Sequence, residues 1–246
     1  MKTVILAAGI ASRLKPLTDN TPKCLLKVGG KCILERTIEN LIATNNLEII
    51  IVTGYLENKI REFVKERFPD LNVTYIHNSL YTSTNNIYSL WMAKEAVAGN
   101  SMLMMDSDIV FDKNILTRLV NSGYKNCLAL KKHDVQDEEI KVRIDSSGRV
   151  LEINKEIIAA EAVGESIGIE LFCKEGCEEL YRILDAKVIE EKRVNQFYET
   201  AFEELSENCL YVVDITDYFS MEIDTADDLA LAQDLVLNTL IRKFHD

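Results

Sequence analysis

Residues that interrupt or cross-link a fold are scarce in this chain. Three prolines occur among 246 residues, and no stretch rich in proline, glycine and serine separates one part of the chain from another. The six cysteines contain no CxxC pair and the three histidines are scattered, so neither a disulfide framework nor a zinc site is indicated. We therefore expect one domain over residues 1–246, a length that can bury a large core.

Long apolar runs and an excess of positive charge are also missing. No apolar run is long enough to span a bilayer, and the first residues lack the zones of a signal peptide. The formal net charge of -12 argues against nucleic acid or anionic membranes as partners, because both are bound through a cationic surface. We expect a cytoplasmic protein that does not insert into a membrane.

Segments with the periods of strands and helices alternate along the chain, most regularly in its first half. This alternation predicts an α/β fold with a mainly parallel sheet and helices on both faces. The predicted strands are 3–7, 49–52, 73–76, 102–105, 141–144, 150–153, 166–172 and 210–213, and the helical faces lie within 33–42, 60–64, 87–97, 174–184, 195–205 and a segment that begins at Thr225, with Asp228 in its cap.

The segment after the first strand has the order that suits a polyphosphate. Leu6 ends the buried strand, and Ala7, Ala8 and Gly9 have almost no side chain, so their backbone N–H groups can approach an anion closely. Cations follow at Arg13 and Lys23. The spacing matches neither the GxxxxGK[ST] loop nor the GxGxxG turn of dinucleotide folds.

Carboxylates stand where open α/β sheets bind ligands, beyond the carboxyl ends of strands. Asp106 and Asp108 end the strand predicted at 102–105; one residue apart, they point to the same face and can hold Mg²⁺ beside phosphates. Asp224 lies between a strand and a helix. Taken alone, such residues are often solvated turn residues or helix caps.

The run from Leu6 to Lys23 resembles the LAAGxxxRLxPLTxxxPK signature of nucleotidyltransferases that activate sugar phosphates and phospho-alcohols. The resemblance covers nearly the whole chain. It implies a Rossmann-like three-layer fold, with nucleotide bound by about 1–125 and the acceptor by about 126–246. It also implies that Arg13 holds the β and γ phosphates, that Lys23 holds the α phosphate, and that Lys155 holds the phosphate of the acceptor.

The same resemblance assigns the metal. Members of the family bring an aspartate after the central strand and another near the C-terminus onto one Mg²⁺, and Asp108 and Asp224 match those positions. Asp106 is then expected near the nucleotide. Ser107 stands where the family usually has glycine.

The stretch Asn85-Asn86-Ile-Tyr-Ser-Leu is similar to the corresponding part of bacterial choline-phosphate cytidylyltransferases. Adjacent amides offer the donors and acceptors that the edge of cytosine requires, so CTP is the implied nucleotide. Asn85 is also suited to capping the helix that begins near Ile87.

The resemblance favours phosphocholine as the acceptor, although its branch also contains enzymes for inositol phosphate, aminoethylphosphonate and other small phosphorylated acceptors. A quaternary ammonium would prefer aromatic faces and nearby carboxylates. The candidates are Tyr198, Glu199 and Glu165, with Trp91 as a further aromatic. The product would be an activated precursor of a cell-surface polysaccharide or lipid, and a homodimer is an option. Two alternatives stay open: a sugar-1-phosphate nucleotidyltransferase that uses UTP, dTTP or GTP, and a nucleotide-binding module without catalytic activity.

Overall fold

A nine-stranded mixed sheet forms the centre of the protein. The computed structural model describes residues 1–205 and 209–243, with side chains as far as 236. The strands are β1 (Lys2–Ala7), β2 (Lys27–Val28), β3 (Lys31–Cys32), β4 (Ile49–Thr53), β5 (Val73–His77), β6 (Met102–Asp106), β7 (Ile109–Phe111), β8 (Asn126–Lys131), β9 (Lys141–Ile144), β10 (Val150–Asn154), β11 (Gly164–Phe172), β12 (Tyr211–Asp214) and β13 (Ser220–Glu222).

The helices are α1 (Ile33–Ala43), α2 (Glu57–Arg67), α3 (Asn86–Met92), α4 (Lys94–Val97), α5 (Asn114–Val120), α6 (Lys174–Asp185), α7 (Glu199–Phe202) and α8 (Ala226–Lys243). The main sheet runs β10-β9-β11-β6-β1-β4-β5, with β8 beside β11 and β12 beside β8. Strands β6, β1, β4 and β5 are parallel, whereas β11 is antiparallel to β6. The predicted mixed, mainly parallel sheet is confirmed.

Alternate residues of the central strands face two separate cores, because successive side chains of a strand point to opposite faces. Val4 and Met104 pack on one face with α3 and α6, while Ile5 and Met105 pack on the other with α1, α2 and α5. Helices therefore cover both faces, which gives the three layers that the sequence predicts. Among the described residues, none of these helices is both apolar enough and long enough to cross a membrane.

Two predicted helices differ from the sequence prediction, and one predicted cap agrees with it. The helix predicted at 87–97 is divided at Ala93 into α3 and α4. The helix predicted at 195–205 is reduced to α7, because the preceding segment hydrogen-bonds to α3 instead: the Val194 carbonyl accepts from Asn85 N, and Tyr198 N donates to Asn86 Oδ1. The predicted cap of the last helix is confirmed, since Thr225 Oγ1 accepts from Asp228 N at 3.2 Å.

Five elements were not predicted, namely β2, β3, β7, β8 and α5, whereas β13 is the strand expected before Asp224. Strand β8 is buried against β11 and β12, and a short apolar run of this kind cannot be assigned from its period alone. Strands β7 and β13 form a separate two-stranded sheet. This small sheet brings the residues before Asp224 back to the loop that follows β6.

We predict that Gly164→Ala destabilises the protein more than Gly123→Ala. Both glycines have positive φ, +153° and +83°, which costs an alanine about 1–2 kcal/mol. At Gly164 the new Cβ would also overlap the carbonyl oxygen of Lys131, whereas at Gly123 it would meet open space. The overlap adds about 1–3 kcal/mol, measurable by urea unfolding. Equal losses for the two variants would contradict this packing at the start of β11.

Candidate active site

A cavity of about 380 Å³ opens at the carboxyl ends of β1 and β6. This is the edge of the sheet at which open α/β folds bind their ligands. The cavity brings together every residue that the sequence predicts for nucleotide or metal binding: Leu6, Ala7, Ala8, Gly9, Arg13, Lys23, Asn85, Asn86, Asp106, Asp108 and Asp224.

The loop after β1 is held in place by the backbone around it. Ala8 O accepts a hydrogen bond from Tyr55 N at 3.1 Å, and Thr18 Oγ1 donates to Ala11 O at 2.9 Å. A Cβ at Gly54 would lie 2.7 Å from Ala8 O, so only glycine permits this approach. A Cβ at Gly9 would meet no atom within 4 Å, which leaves open space beside the loop for an anion.

Lys23 lies between the two aspartates that come from distant parts of the chain. Its Nζ is 2.5 Å from Asp108 Oδ2 and 2.5 Å from Asp224 Oδ1. Burial alone would lower the pKa of Lys23, but the attraction of both carboxylates outweighs it and the pKa is raised. Lys23 is therefore a permanent cation in the floor of the cavity.

Asp224 also receives Arg13, whose guanidinium lies 2.6 Å from Oδ2. Burial tends to raise the pKa of Asp224, but the charges and hydrogen bonds of Lys23 and Arg13 lower it below its ordinary value. Asp224 is consequently ionised at neutral pH. The two cations predicted from the N-terminal loop thus meet the predicted C-terminal aspartate.

Glu222, which the sequence analysis missed, completes a carboxylate cluster with the two predicted aspartates. Asp108, Glu222 and Asp224 each bring one oxygen to within 4.8 Å of the others. Burial, followed by repulsion from Asp108 and Asp224, raises the pKa of Glu222 to about 8. A signal was available, since Glu222 and Asp224 are separated by one residue, as are Asp106 and Asp108.

The donor set of this cluster suits a hard divalent cation. Asp108 Oδ1 is buried and has no hydrogen-bond partner among the described residues. Carboxylate oxygens are the ligands that Mg²⁺ prefers, and they are grouped here in the same cavity as the loop that follows β1.

The carboxylate of Asp106 is fixed by two neighbours that do not belong to this cluster. Tyr198 Oη donates to Asp106 Oδ2 at 2.8 Å, and the backbone of Gly168 packs against the carboxylate so closely that a Cβ would lie 2.7 Å from the same oxygen. Burial and the charge of Asp108 raise the pKa of Asp106 well above its ordinary value. Asp106 thus lines the first cavity, and its carboxylate already contacts Tyr198 and Gly168.

The two asparagines have different partners. Asn85 Oδ1 accepts from Asn86 N at 2.8 Å and caps α3, as its alternative interpretation proposed. Asn86 Oδ1 accepts from Tyr198 N. Both residues line the cavity, so contact with a base stays a prediction for each. Asn78, which was not predicted, supports this loop: its Nδ2 donates to Thr84 Oγ1 and Ser89 Oγ at 3.1 Å each.

A second cavity of about 680 Å³ adjoins the first and shares Arg13, Asn86 and Asp224 with it. Lys155 and Glu165 line it, as the sequence predicts for the acceptor side. Lys155 Nζ lies 3.2 Å from Glu138 Oε2 and 5.3 Å from the centre of the Phe197 ring. A third cavity, of about 590 Å³ between α5 and β12, contains none of the predicted site residues.

Tyr198 does not line the second cavity, which differs from its predicted contact with the acceptor. Its side chain is fully buried beneath the wall, where its hydroxyl serves Asp106. The neighbouring Phe197 is 42% exposed and lines both cavities, so it supplies the aromatic face. Trp91 lies elsewhere, with Nε1 2.9 Å from Asp185 Oδ1. The aromatic side chain of this stretch that faces the cavity is therefore Phe197, one position before Tyr198.

Buried carboxyl groups extend below the second cavity. Glu170 is fully buried, and Glu199, which lines the cavity, is 6% exposed; one oxygen of each has no hydrogen-bond partner among the described residues. Burial raises the pKa of Glu199 to about 7 and that of Glu170 well above its ordinary value, with Asp106 and Glu199 adding to the effect on Glu170. Burial therefore favours the protonated form of Glu170 in the folded protein.

A loop of small residues, a carboxylate cluster and a second cavity thus lie together at the carboxyl ends of the parallel strands, the edge at which open α/β sheets bind ligands. A sequence model of the nucleotidyl transferase family matches residues 2–150. The chain belongs to this family, as its N-terminal motif predicts.

Two relatives are similar to this chain over nearly their whole length. The choline-phosphate cytidylyltransferase of Streptococcus pneumoniae is 28% identical over 240 residues, which cover 97% of this chain and 99% of the relative. The enzyme of the same name from Haemophilus influenzae is 30% identical over 232 residues, covering 93% and 94% of the two chains.

Solved structures agree with this placement. The CTP:phosphocholine cytidylyltransferase of Streptococcus pneumoniae superimposes with a TM-score of 0.82 at 26% identity, over 96% of this chain and 98% of that one. The inositol-1-phosphate CTP transferase of T. maritima gives a TM-score of 0.76 at 17% identity, over 92% and 90%, and so shares the fold. The predicted fold and family are confirmed.

We predict that Glu170→Gln makes the protein more stable at pH 8 relative to wild type. A carboxyl whose pKa is raised in the folded state keeps its proton while the unfolded chain loses it above about pH 4.3, so wild-type stability falls as the pH rises. Glutamine cannot ionise and removes this loss. Urea unfolding from pH 4 to pH 8 measures the difference, with Glu62→Gln on the exposed side of α2 as control. A difference that does not change with pH would contradict burial of an ionisable carboxyl.

Proposed function

We propose that the protein transfers CMP from CTP to a small phosphorylated acceptor, with phosphocholine favoured, and releases pyrophosphate. One observation carries the proposal: Lys23 joins Asp108 to Asp224, and Asp224 lines both the first cavity and the second. A nucleotide in the first cavity and an acceptor in the second would meet at this cluster. The names of the near full-length relatives support CTP and phosphocholine.

Asp108 and Asp224 would hold Mg²⁺, with Glu222 close enough to take part. The bound ion would neutralise negative charge on the phosphates. In the structure, the ammonium of Lys23 contacts both aspartates and compensates their negative charge. Binding of the triphosphate would give Lys23 and Arg13 new anionic partners, so both cations are placed to exchange the aspartates for phosphate oxygens.

The chemistry requires no covalent intermediate. The second pKa of a phosphate monoester lies near ~6, so at neutral pH the acceptor is already largely dianionic and needs no strong general base. One of its oxygens attacks the α-phosphorus of CTP in line; the new P–O bond forms as the bond from the α-phosphorus to the bridging oxygen breaks. The electron pair leaves with pyrophosphate, and Lys23 and Arg13 stabilise the charge that develops.

The proposal is tested by pyrophosphate release in the presence of Mg²⁺. We expect release with CTP and phosphocholine, and little release with UTP, dTTP or GTP. The acceptor panel contains phosphocholine, aminoethylphosphonate, inositol phosphate and glucose-1-phosphate, and a chelator should abolish the reaction. Release only with a sugar phosphate would indicate a sugar-1-phosphate nucleotidyltransferase. Nucleotide binding without pyrophosphate release in the presence of any of these acceptors would indicate a binding module.

We predict that Lys23→Ala lowers turnover on the order of 10²-fold or more while the fold is retained, because a preorganised charge beside the reacting phosphates is lost. Steady-state kinetics and circular dichroism measure the two properties. Lys15→Ala is the matched control, since Lys15 lies in the same loop and, among the described residues, its ion pair is an exposed one with Asp19 at 3.9 Å. Near wild-type activity of Lys23→Ala would remove Lys23 from the site.

A further inference from the structure

Lys131 is a cation of the second cavity that the proposed mechanism leaves without a role. It ends β8, and its Nζ donates to the carbonyl oxygen of Ser220 at 2.7 Å. An ammonium has three donors, and among the described residues this is the hydrogen bond that Lys131 makes through its side chain. Glu165 lies opposite Lys131 in the β8–β11 register. Burial raises the pKa of Glu165 to about 7, and the charge of Lys131 opposes this increase, but the two side chains form no ion pair.

Ser220 supplies an independent observation at the same place. The residue is 3% exposed, lines the second cavity, and its Oγ has no hydrogen-bond partner in the described part of the chain. An unsatisfied buried hydroxyl costs free energy that a ligand oxygen would recover. A built pair of donors, one charged and one neutral, therefore faces this part of the cavity.

The location of the pair relative to the carboxylate cluster suits a phosphate. Ser220 and Glu222 are two residues apart on β13, so their side chains lie on one face about 7 Å from each other. Glu222 belongs to the cluster with Asp108 and Asp224. A phosphate held at Ser220 and Lys131 would present its remaining oxygens toward that cluster.

Lys155, the lysine predicted to hold the acceptor's phosphate, is less available. Its Nζ is already paired with Glu138 at 3.2 Å and lies over the Phe197 ring. A phosphate would have to compete with a paired carboxylate for this ammonium, whereas among the described residues Lys131 Nζ forms no ion pair and bonds to a neutral carbonyl oxygen.

We propose that Lys131 Nζ and Ser220 Oγ together bind the phosphate or phosphonate group of the acceptor. This assignment rests on the proposed function, because it concerns the second substrate of that reaction. It gives the group that attacks CTP a fixed place between β8, β13 and the carboxylate cluster. Lys155 is then left to contact the remainder of the acceptor beside Phe197 and Glu199.

Steady-state kinetics with the acceptor varied test the assignment. We expect Lys131→Met to raise the KM for the acceptor about 10-fold to 100-fold, the usual effect of losing a charged hydrogen bond, with the KM for CTP unchanged. Ser220→Ala should give a smaller increase, and Lys131→Arg should restore part of the affinity. Lys132→Met is the matched control, since Lys132 is the next residue, is exposed, and pairs with Asp214 at 2.8 Å on the outer surface.

A change in the KM for CTP alone, or an effect of Lys155→Met on the acceptor KM without one of Lys131→Met, would overturn the assignment. Thermal unfolding of each variant identifies loss of structure, and Lys131→Arg provides the test if Lys131→Met does not fold.

Calorimetric titration separates this proposal from the proposed function, because it needs no turnover. Phosphocholine and inorganic phosphate are the probes, titrated into the wild-type protein and into Lys131→Met and Lys132→Met. Binding that is weakened only by Lys131→Met supports the site even if no acceptor releases pyrophosphate, in which case the proposed function alone fails. Equal binding by all three proteins, or no binding to wild type, overturns the site, whereas release with CTP would still support the proposed function.

Discussion

The ion pairs of Lys23 with Asp108 and Asp224 are the interaction on which the arrangement of the active site depends. They join residues separated by 85 and 201 positions in the chain, so the N-terminal loop, the end of β6 and the segment before α8 must converge. Two carboxylates this close repel each other unless a cation lies between them. The protein resolves the repulsion with its own lysine, and the same arrangement is suited to phosphates and a divalent cation.

The small sheet of β7 and β13 is the structural means of that convergence. It pairs Ser220 with Phe111 and Glu222 with Ile109, so the chain returns from the second half of the molecule directly to the loop that carries Asp108. It also places the oxygens of Glu222 and Asp224 within reach of Asp108. The site is thus formed by an accessory pairing as well as by the central sheet.

Polar groups buried behind the second cavity set its shape. Tyr198 holds Asp106, Asn86 holds the backbone of Tyr198, and Glu170 lies fully buried nearby. Burial raises the pKa values of Asp106 and Glu170 and so favours their neutral forms. A buried network is stabilising only when its members are paired or neutral. The exposed surface that remains for a ligand is then provided by Phe197 and the groups around it.

Local sequence determined the central strands β1, β4, β5 and β6, the loop of small residues after β1 and the identity of its cations. Apolar runs and a run of small residues are properties of neighbouring positions. Tertiary structure decided the rest. Strand β8 was missed because a short buried run has no distinctive period, and Glu222 and Lys131 acquire their surroundings only when β13 meets β7 and β8. The neighbours Phe197 and Tyr198 differ in exposure because long-range hydrogen bonds, absent from any local pattern, turn one ring outward and bury the other.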